Sequence, residues 1–217
     1  RPISWAHCYH QLQLGVPIFI AVFCETSLFS IVGLLMAEFG TLYLAANQAA
    51  ISYATLTYTI PWSVSLTATI VIGYEVGAKN FVGARQYALL CQMTAFAVAT
   101  VTITATYLFL DPISSLFTHD AETFAAIRNF LVYAMAFVFL DAAGTPVQGI
   151  LRGYKDVKVI TYIAFVTYWL ISIPLGYACA HLTPYGPYGY WLCFVISLII
   201  NSSALNYRLW RHTAFQQ

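Results

Sequence analysis

Two carboxylic acids of this sequence lie within long apolar stretches, where a charge is costly. Glu25 stands in VFCETSLFS and Asp141 in VFLDAAGTP. A charge at the centre of a membrane helix costs about 2.5–3.5 kcal/mol on insertion scales, so such residues usually face a cavity and mark an ion or substrate path. Two carboxylates in a low-dielectric cavity repel until a proton, a metal cation or an organic cation neutralises them. The pair predicts a cation site. A protonated, hydrogen-bonded carboxyl is the alternative for either residue, and for Asp141 a position nearer the membrane interface is a second alternative.

Five further residues of the apolar stretches are candidates for the wall of a substrate cavity. The amides of Asn47 and Gln48 stand in a segment rich in hydroxyl side chains, where they could line a wet cavity. The aromatic rings of Tyr53, Phe137 and Trp169 could contact an organic cation through their π faces. Core packing is the alternative for each ring, and hydrogen bonding between helices is the alternative for the polar residues.

Pro146 is a candidate hinge. It follows Asp141 by five residues, with Gly144 between them, and a proline within a helix removes a backbone donor and bends the helix. A flexible helix at this place could move the carboxylate, so the sequence predicts a hinge at Pro146. The remaining prolines of the apolar stretches, Pro17, Pro61 and Pro174, are expected only to shape packing.

Two glycine pairs have the spacing of a helix-packing motif, Gly73 with Gly77 and Gly149 with Gly153. Both pairs fall at the ends of apolar stretches, where glycine more often terminates a helix. We therefore expect these glycines to mark helix ends rather than helix contacts.

Catalytic motifs are absent from the sequence. It contains no HExxH metal motif, no GxSxG nucleophile turn and no glycine loop that would bind a phosphate. The five histidines all lie at or beyond the ends of the apolar stretches: His7, His10, His119, His181 and His212. The sequence therefore predicts a protein that is not an enzyme and has no cofactor. An intramembrane enzyme with Glu25 and Asp141 as general acid and base is the alternative.

The elements that must position these residues are membrane-spanning helices. Hydrophobic residues make up 60% of the 217-residue chain and charged residues only 8%, about a third of the roughly 25% usual in soluble domains. About 20 apolar residues cross the hydrocarbon core as a helix, and the stretches lack the strict alternation of a membrane barrel. We predict an all-α membrane protein, a single six-helix unit over residues 1–217, with spans at about 14–37, 45–72, 87–110, 124–149, 159–180 and 190–206.

Positive charges are distributed unevenly between the predicted loops. When the loops alternate between the two sides, only Arg128 lies opposite the other eight basic residues, which are Arg1, Lys79, Arg85, Arg152, Lys155, Lys158, Arg208 and Arg211. This bias places both termini in the cytoplasm. Arg152, Lys155 and Lys158 are thereby interpreted as determinants of topology rather than as ligands, and we expect no basic side chain near the carboxylates. The net charge of +1 excludes a polybasic nucleic-acid binder, so lipid is the expected surrounding.

Four segments of the chain resemble the carboxy-terminal half of multidrug and toxic compound extrusion (MATE) transporters, and the NorM branch above all. They are FCETSLF (23–29), AANQAAISYATLTYTIPWSVS (45–65), GILRGYKD (149–156) and YWLISIPLGY (168–177). The likeness runs from about residue 14 to residue 211. Family members have twelve helices in two six-helix lobes. The resemblance therefore implies that this chain is the second lobe and that the amino-terminal six-helix lobe is its partner.

The resemblance implies antiport of cationic, often aromatic drugs against Na⁺ or H⁺ across the bacterial inner membrane, with alternating access between the lobes. A glutamate on the first helix and an aspartate on the fourth helix of this lobe form the cation site of the NorM branch, and they match Glu25 and Asp141, where Na⁺ is the candidate metal ion. The branch often has a tyrosine one turn before the aspartate. This chain has Phe137 there, and the departure removes a hydroxyl ligand.

Two other functions stay open at this point. One is a flippase of the same superfamily for lipid-linked substrates, against which the lack of a basic residue in the middle of a span argues. The other is an accessory membrane subunit that transports nothing. Such a subunit would need no buried acids, so Glu25 and Asp141 argue against it.

Overall fold

The structure is a computed structural model that describes residues 5–214, and the regular elements of this part of the chain are helical throughout. Arg1, which the topology argument used, lies outside the described residues. In chain order the elements are α1 (Trp5–Met36), a short 3₁₀ turn (Ala37–Phe39), α2 (Thr41–Gly77), α3 (Phe81–Leu108), α4 (Leu110–Phe117), α5 (Ala121–Gly153), α6 (Val157–Ala164), a π-helical segment (Phe165–Ser172), α7 (Ile173–Leu182) and α8 (Tyr188–Ala214).

Six stretches of the described chain are long and apolar enough to cross a membrane, which confirms the predicted number of spans. They are Gln11–Phe39, Thr41–Gly77, Phe81–Leu108, Ala121–Gly153, Val157–Leu182 and Tyr188–Arg211. The shortest has 24 residues, against the roughly 20 that a crossing needs. The fifth crossing combines α6, the π-helical segment and α7. The fourth extends to Gly153, one turn beyond the predicted end near residue 149. The extension brings Arg152 into this span.

Helix ends at the membrane surface are set by local polar contacts. Asn80 precedes α3 and accepts a hydrogen bond from the Gly83 amide at 3.1 Å. Asp120 precedes α5 and accepts from the amide and the hydroxyl of Thr123 at 3.0 and 2.7 Å. Because both bonds favour the ionised carboxyl, they hold the pKa of Asp120 below its usual value. Side chains at these two caps thus start the third and fourth spans.

The helix α5 lies at the centre of the bundle and packs against α2, α3 and α8. Its contact with α2 is close, because a Cβ atom on Gly149 would overlap the backbone carbonyl of Ser65, and one on Gly153 would lie 3.0 Å from the side chain of Ile72. The Thr69 hydroxyl also donates to the Gly149 carbonyl at 3.0 Å. The expectation that Gly149 marks a helix end is therefore wrong: α5 continues past it, and the missing side chain lets two helix backbones approach.

The helix α1 is held differently. It packs mainly against α6 and makes fewer contacts with the π-helical segment and with α2. Its buried stripe, Ala21, Cys24, Leu28, Val32 and Met36, repeats every three or four residues and joins the main hydrophobic core. The loose contact between α1 and α2 leaves room for a cavity between these two helices.

A candidate cation cavity

A cavity of about 340 Å³ lies between α1 and α2 and reaches α5. Glu25 lies on its α1 side. Most of the remaining wall is apolar or aromatic, with the rings of Phe29, Tyr58, Trp62 and Phe137 among the lining side chains. An acid surrounded by π faces is suited to a cation that carries apolar or aromatic groups.

Glu25 is half-buried in the wall of this cavity, on an unbroken stretch of α1. The two hydroxyl residues that follow it bond back to their own helix: Thr26 donates to the Val22 carbonyl at 3.0 Å, and Ser27 donates to the Cys24 carbonyl at 3.1 Å. These hydroxyls are therefore engaged with backbone carbonyls of α1. The Glu25 carboxylate faces the cavity as the main charge on the α1 side.

Asp141 lies on α5 and is almost wholly buried, with 3% of its surface exposed. One carboxyl oxygen accepts a hydrogen bond from the Thr145 hydroxyl at 2.8 Å, and the other oxygen is buried without a protein partner. The charges of Glu25 and Asp141 act on each other. The structure thus brings the two acids, from separate helices, into one electrostatic neighbourhood.

Two tyrosines that the sequence analysis did not single out belong to this neighbourhood. Both carboxylates act electrostatically on Tyr58 and on Tyr168. Tyr58 lines the cavity from α2, and Tyr168 is buried on the π-helical segment. The helical period could have predicted Tyr58 as a cavity residue. Five lining residues of α2 are spaced three or four apart and share one face of the helix: Ile51, Ala54, Thr55, Tyr58 and Trp62.

Arg152 brings a positive charge to the edge of the cavity. Its guanidinium lies over the ring of Trp62, 5.4 Å from the centroid, and donates to the side-chain oxygen of Gln148 at 3.3 Å. Its charge acts on both Glu25 and Tyr58. The expectation that no basic side chain lies near the carboxylates is therefore wrong, because α5 extends to Gly153 and the Arg152 side chain points back along the helix instead of into the loop that follows.

Two of the predicted cavity residues lie near Glu25. Phe137 lines the cavity and packs edge-on against Phe29 at a centroid distance of 5.6 Å. Trp169 lies on the π-helical segment, where its indole nitrogen donates to the Ser27 hydroxyl at 3.2 Å. Trp169 thus ties the π-helical segment to α1 two residues after Glu25, although it is not among the residues that line the cavity.

The other three predicted cavity residues lie elsewhere. Asn47 is fully buried and accepts a hydrogen bond from the Trp191 indole at 2.9 Å. Gln48 is exposed on the outer surface of α2. Tyr53 is buried and donates to the Thr106 hydroxyl at 2.8 Å. Asn47 and Tyr53 therefore link α2 to α8 and to α3, and none of the three lines the cavity between α1 and α2.

Pro146 lies within α5 without interrupting it. A proline at this position cannot donate to the carbonyl four residues earlier, Ala142. The side-chain amide of Gln92 on α3 donates to the carbonyls of Ala142 and Ala143 at 3.3 Å each, and the Asn206 amide on α8 donates to the Ala143 carbonyl at 3.0 Å. The amide of Gln92 thus supplies a donor to the Ala142 carbonyl, which the proline leaves without one, and the neighbouring Ala143 carbonyl is held from both α3 and α8.

Comparison with protein-family models finds the MatE family over residues 17–178. A protein of Bacillus subtilis named "Probable multidrug resistance protein NorM" is 42% identical over 206 residues, which cover 95% of this chain and 46% of that protein. A protein of the same name from Halalkalibacterium halodurans is 44% identical over 198 residues, covering 91% of this chain and 43% of the relative. The chain therefore spans less than half the length of these relatives, whose names describe drug resistance and not an enzymatic activity.

The fold is similar to that of solved MATE transporters. The eukaryotic MATE transporter AtDTX14 superposes with a TM-score of 0.89 and covers 99% of this chain, whereas the chain covers 50% of AtDTX14. The two sequences are 18% identical, so the likeness concerns the fold. The matched unit is one half of that transporter.

Proposed function

Because this chain belongs to the MatE family, we propose that it is the carboxy-terminal lobe of a secondary active multidrug transporter that exchanges organic cations for Na⁺ or H⁺. One observation carries the proposal: Glu25, within electrostatic reach of Asp141, lines a cavity whose other walls are mostly apolar, with four aromatic rings among them. The length of the chain, under half that of the NorM relatives, supports a partner lobe of similar size.

The proposed mechanism is a competition between the coupling ion and the organic cation for the negative charge of Glu25 and Asp141. Two carboxylates removed from bulk water repel each other, so the cavity is stable only when a proton, Na⁺ or an organic cation offsets their charge. These cations exclude one another from one site. Entry of the coupling ion therefore lowers the affinity for the organic cation, and the ion gradient drives its release.

The coupling ion is a transported species in this scheme, and the oxygen atoms near the acids suit it. In the described part of the chain, no group of three or more His, Cys, Asp or Glu residues could hold a metal ion. Na⁺ would instead take oxygen from the two carboxyls and from hydroxyls beside them. Tyr58 and Tyr168, which lie within reach of both charges, would supply the hydroxyl that Phe137 lacks.

Membrane placement and conformational change complete the proposal. The chain lies in the bacterial inner membrane with both of its ends in the cytoplasm, as its distribution of basic residues favours. The partner lobe closes the open side of the cavity, where Glu25 is half-exposed. Pro146 stays the proposed hinge in α5, since it removes one backbone hydrogen bond five residues from Asp141. A bend there requires the hydrogen bonds that Gln92 and Asn206 donate to the carbonyls before the proline to break.

A lipid flippase gains one argument from the structure, since Arg152 places a cation near the cavity that a phosphate could contact. Two carboxylates in the same neighbourhood outweigh this single charge. An anionic headgroup would therefore meet net repulsion, and the multidrug function remains the better supported of the two.

The proposal predicts that Glu25→Gln and Asp141→Asn each abolish ion-driven efflux in the complete transporter. Each amide keeps the shape of the acid and removes a charge that is costly to bury, so folding should be retained. The double variant should lose little more than either single one, because groups that act as a unit are not additive. Efflux of a fluorescent organic cation from reconstituted vesicles, under separate Na⁺ and proton gradients, measures the effect.

Glu122→Gln is the matched control, because this acid is exposed in the first turn of α5 and its loss should leave efflux unchanged. Wild-type coupling in either cavity variant would contradict the proposed site. The chain expressed alone should not export the cation, and co-expression with a matching amino-terminal lobe should restore export. Strong efflux by the isolated chain, with no dimer detected by crosslinking, would contradict the assignment as one lobe.

A further inference from the structure

Arg152 points in the direction opposite to the one expected for its position. Long basic side chains near the end of a membrane helix usually extend toward the water. The helices α2 and α5 run parallel, and Gly153 at the end of α5 lies level with Ile72. Trp62, over which the Arg152 guanidinium lies, is ten residues before Ile72, which is about 15 Å along a helix. The side chain is therefore directed into the membrane region, toward the cavity.

The guanidinium of Arg152 does not use all of its hydrogen-bond donors in this position. It donates to the side chain of Gln148, one turn earlier on α5. Its Nε atom is buried and has no hydrogen-bond partner. A buried guanidinium nitrogen without a partner is costly, so attraction from the Trp62 π face and from nearby negative charge must offset that cost.

The contacts of Arg152 are those that an organic cation would use. Trp62 and Glu25 both line the cavity, and the Arg152 charge acts on Glu25. A guanidinium is flat and positively charged, and it stacks on indole as an aromatic cation does. The lobe thus contains a cation of its own, covalently tethered beside the cavity in which the proposed substrates would bind.

We propose that Arg152 is a specificity-determining residue, a tethered cation that covers the Trp62 face and offsets the charge of Glu25 until an incoming organic cation displaces it. This inference rests on the proposed function, since it concerns the occupancy of the same cavity. It gives Arg152 a competitive role: the affinity for every cationic substrate is lowered by the contacts that Arg152 must give up. Substrates that cannot replace both contacts are thereby rejected.

The test compares two probes of the same shape and opposite charge, tetraphenylphosphonium and tetraphenylborate, by equilibrium binding to the complete transporter in nanodiscs. Arg152→Gln should bind the phosphonium about tenfold more tightly, because a cation–π contact and an opposing charge together correspond to roughly one power of ten. The same variant should not bind the borate more tightly. Arg152→Lys, whose ammonium can extend to the cytoplasm, should tighten phosphonium binding to a smaller extent.

Three further variants make the test specific. Lys158→Gln removes a positive charge from an exposed position on α6 at the same end of the membrane and should leave both affinities unchanged. Trp62→Leu should weaken phosphonium binding. In that background Arg152→Gln should have a reduced effect, because the ring for which the two cations compete is gone.

The outcomes separate this inference from the function on which it rests. If the wild type binds the phosphonium and Arg152→Gln binds it equally or less tightly, Arg152 is not a competitor and only this inference fails. If Arg152→Gln and Arg152→Lys both bind the phosphonium no more tightly than the wild type, the inference fails, because misfolding of a single variant would not account for both results. If neither the wild type nor any variant binds the phosphonium, the cavity is not a site for organic cations, and both proposals fail.

Discussion

The two acids of the proposed cation site, Glu25 in the cavity wall and Asp141 buried on α5, lie in contrasting parts of the molecule. Asp141 is on α5, which is enclosed by α2, α3 and α8, and Asp141 itself is 3% exposed and hydrogen-bonded to Thr145. Glu25 is on α1, which packs mainly against α6, and it is half-buried in the wall of the cavity. The lobe therefore combines one acid on a fixed wall with one on a wall that is held at fewer points.

The contacts of the two walls explain this contrast. Contacts from several helices fix the backbone of α5. The backbone of α2 approaches closely at Gly149, and the amides of Gln92 on α3 and Asn206 on α8 donate to the carbonyls before Pro146. In α1 most hydroxyls bond to their own helix. Among the side chains that the structure describes, two cross-helix hydrogen bonds hold it: Trp169 to Ser27, and Thr161 to the Pro17 carbonyl at 2.7 Å. Both of these bonds come from the fifth span. Within the described residues, the helix α1 is therefore tied by hydrogen bonds to the fifth span and not to α2.

The largest expected effect of the contrast concerns a pair of matched glycine substitutions. Gly149→Ala places a methyl group on the Ser65 carbonyl and must separate α2 from α5, at a cost of about 2–3 kcal/mol. Gly33→Ala on α1 meets nothing within 4 Å and should be neutral, or stabilising by up to about 1 kcal/mol, because alanine is the better helix former. Unfolding of the purified protein in mixed micelles measures both. If the two substitutions destabilise the protein equally, α5 is not packed more tightly than α1.

Hydropathy predicted the architecture because each crossing depends on one local quantity, about 20 apolar residues in succession. The same logic found Glu25 and Asp141, since a charge in such a stretch is conspicuous whatever surrounds it. Membership of the MatE family agrees with the resemblance that the sequence segments indicated. These features could be predicted because they do not depend on which helices are neighbours.

The details of the site did depend on neighbours. Asn47 and Tyr53 were predicted for the cavity, but their partners Trp191 and Thr106 are 144 and 53 residues away in the chain, and no local pattern reveals such contacts. Arg152 was missed because an error of one helical turn at the end of α5 moved it from a span into a loop. Helix length and helix face, rather than composition, decide which side chains reach the cavity.

A smaller effect is expected from matched threonine substitutions on the two walls. Thr145→Val removes the hydroxyl that donates to buried Asp141 and should cost about 1 kcal/mol, the net value of such a hydrogen bond. Thr26→Val on α1 removes a hydroxyl that is exposed and bonds only to carbonyls of its own helix, so stability should change by less than about 0.5 kcal/mol. The same unfolding measurement applies. A larger loss for Thr26→Val would show that α1 is the more tightly determined wall.

The smallest expected effect concerns the amino-terminal end of the fixed wall α5, which Asp120 caps. The Thr123 hydrogen bonds lower the pKa of Asp120 in the folded protein, so its contribution is complete above the ordinary carboxyl pKa of 3.8 and is lost as the pH falls through the lower, folded value. Asparagine is an equally good cap but does not titrate. Hydrogen exchange at the Thr123 amide should therefore accelerate in acid in the wild type, beyond the intrinsic change with pH, but not in Asp120→Asn. Because Asp120 is exposed, only the first turn of α5 should respond. Acid-dependent exchange near Asp141 would mean that the fixed wall opens as a unit from its amino-terminal end.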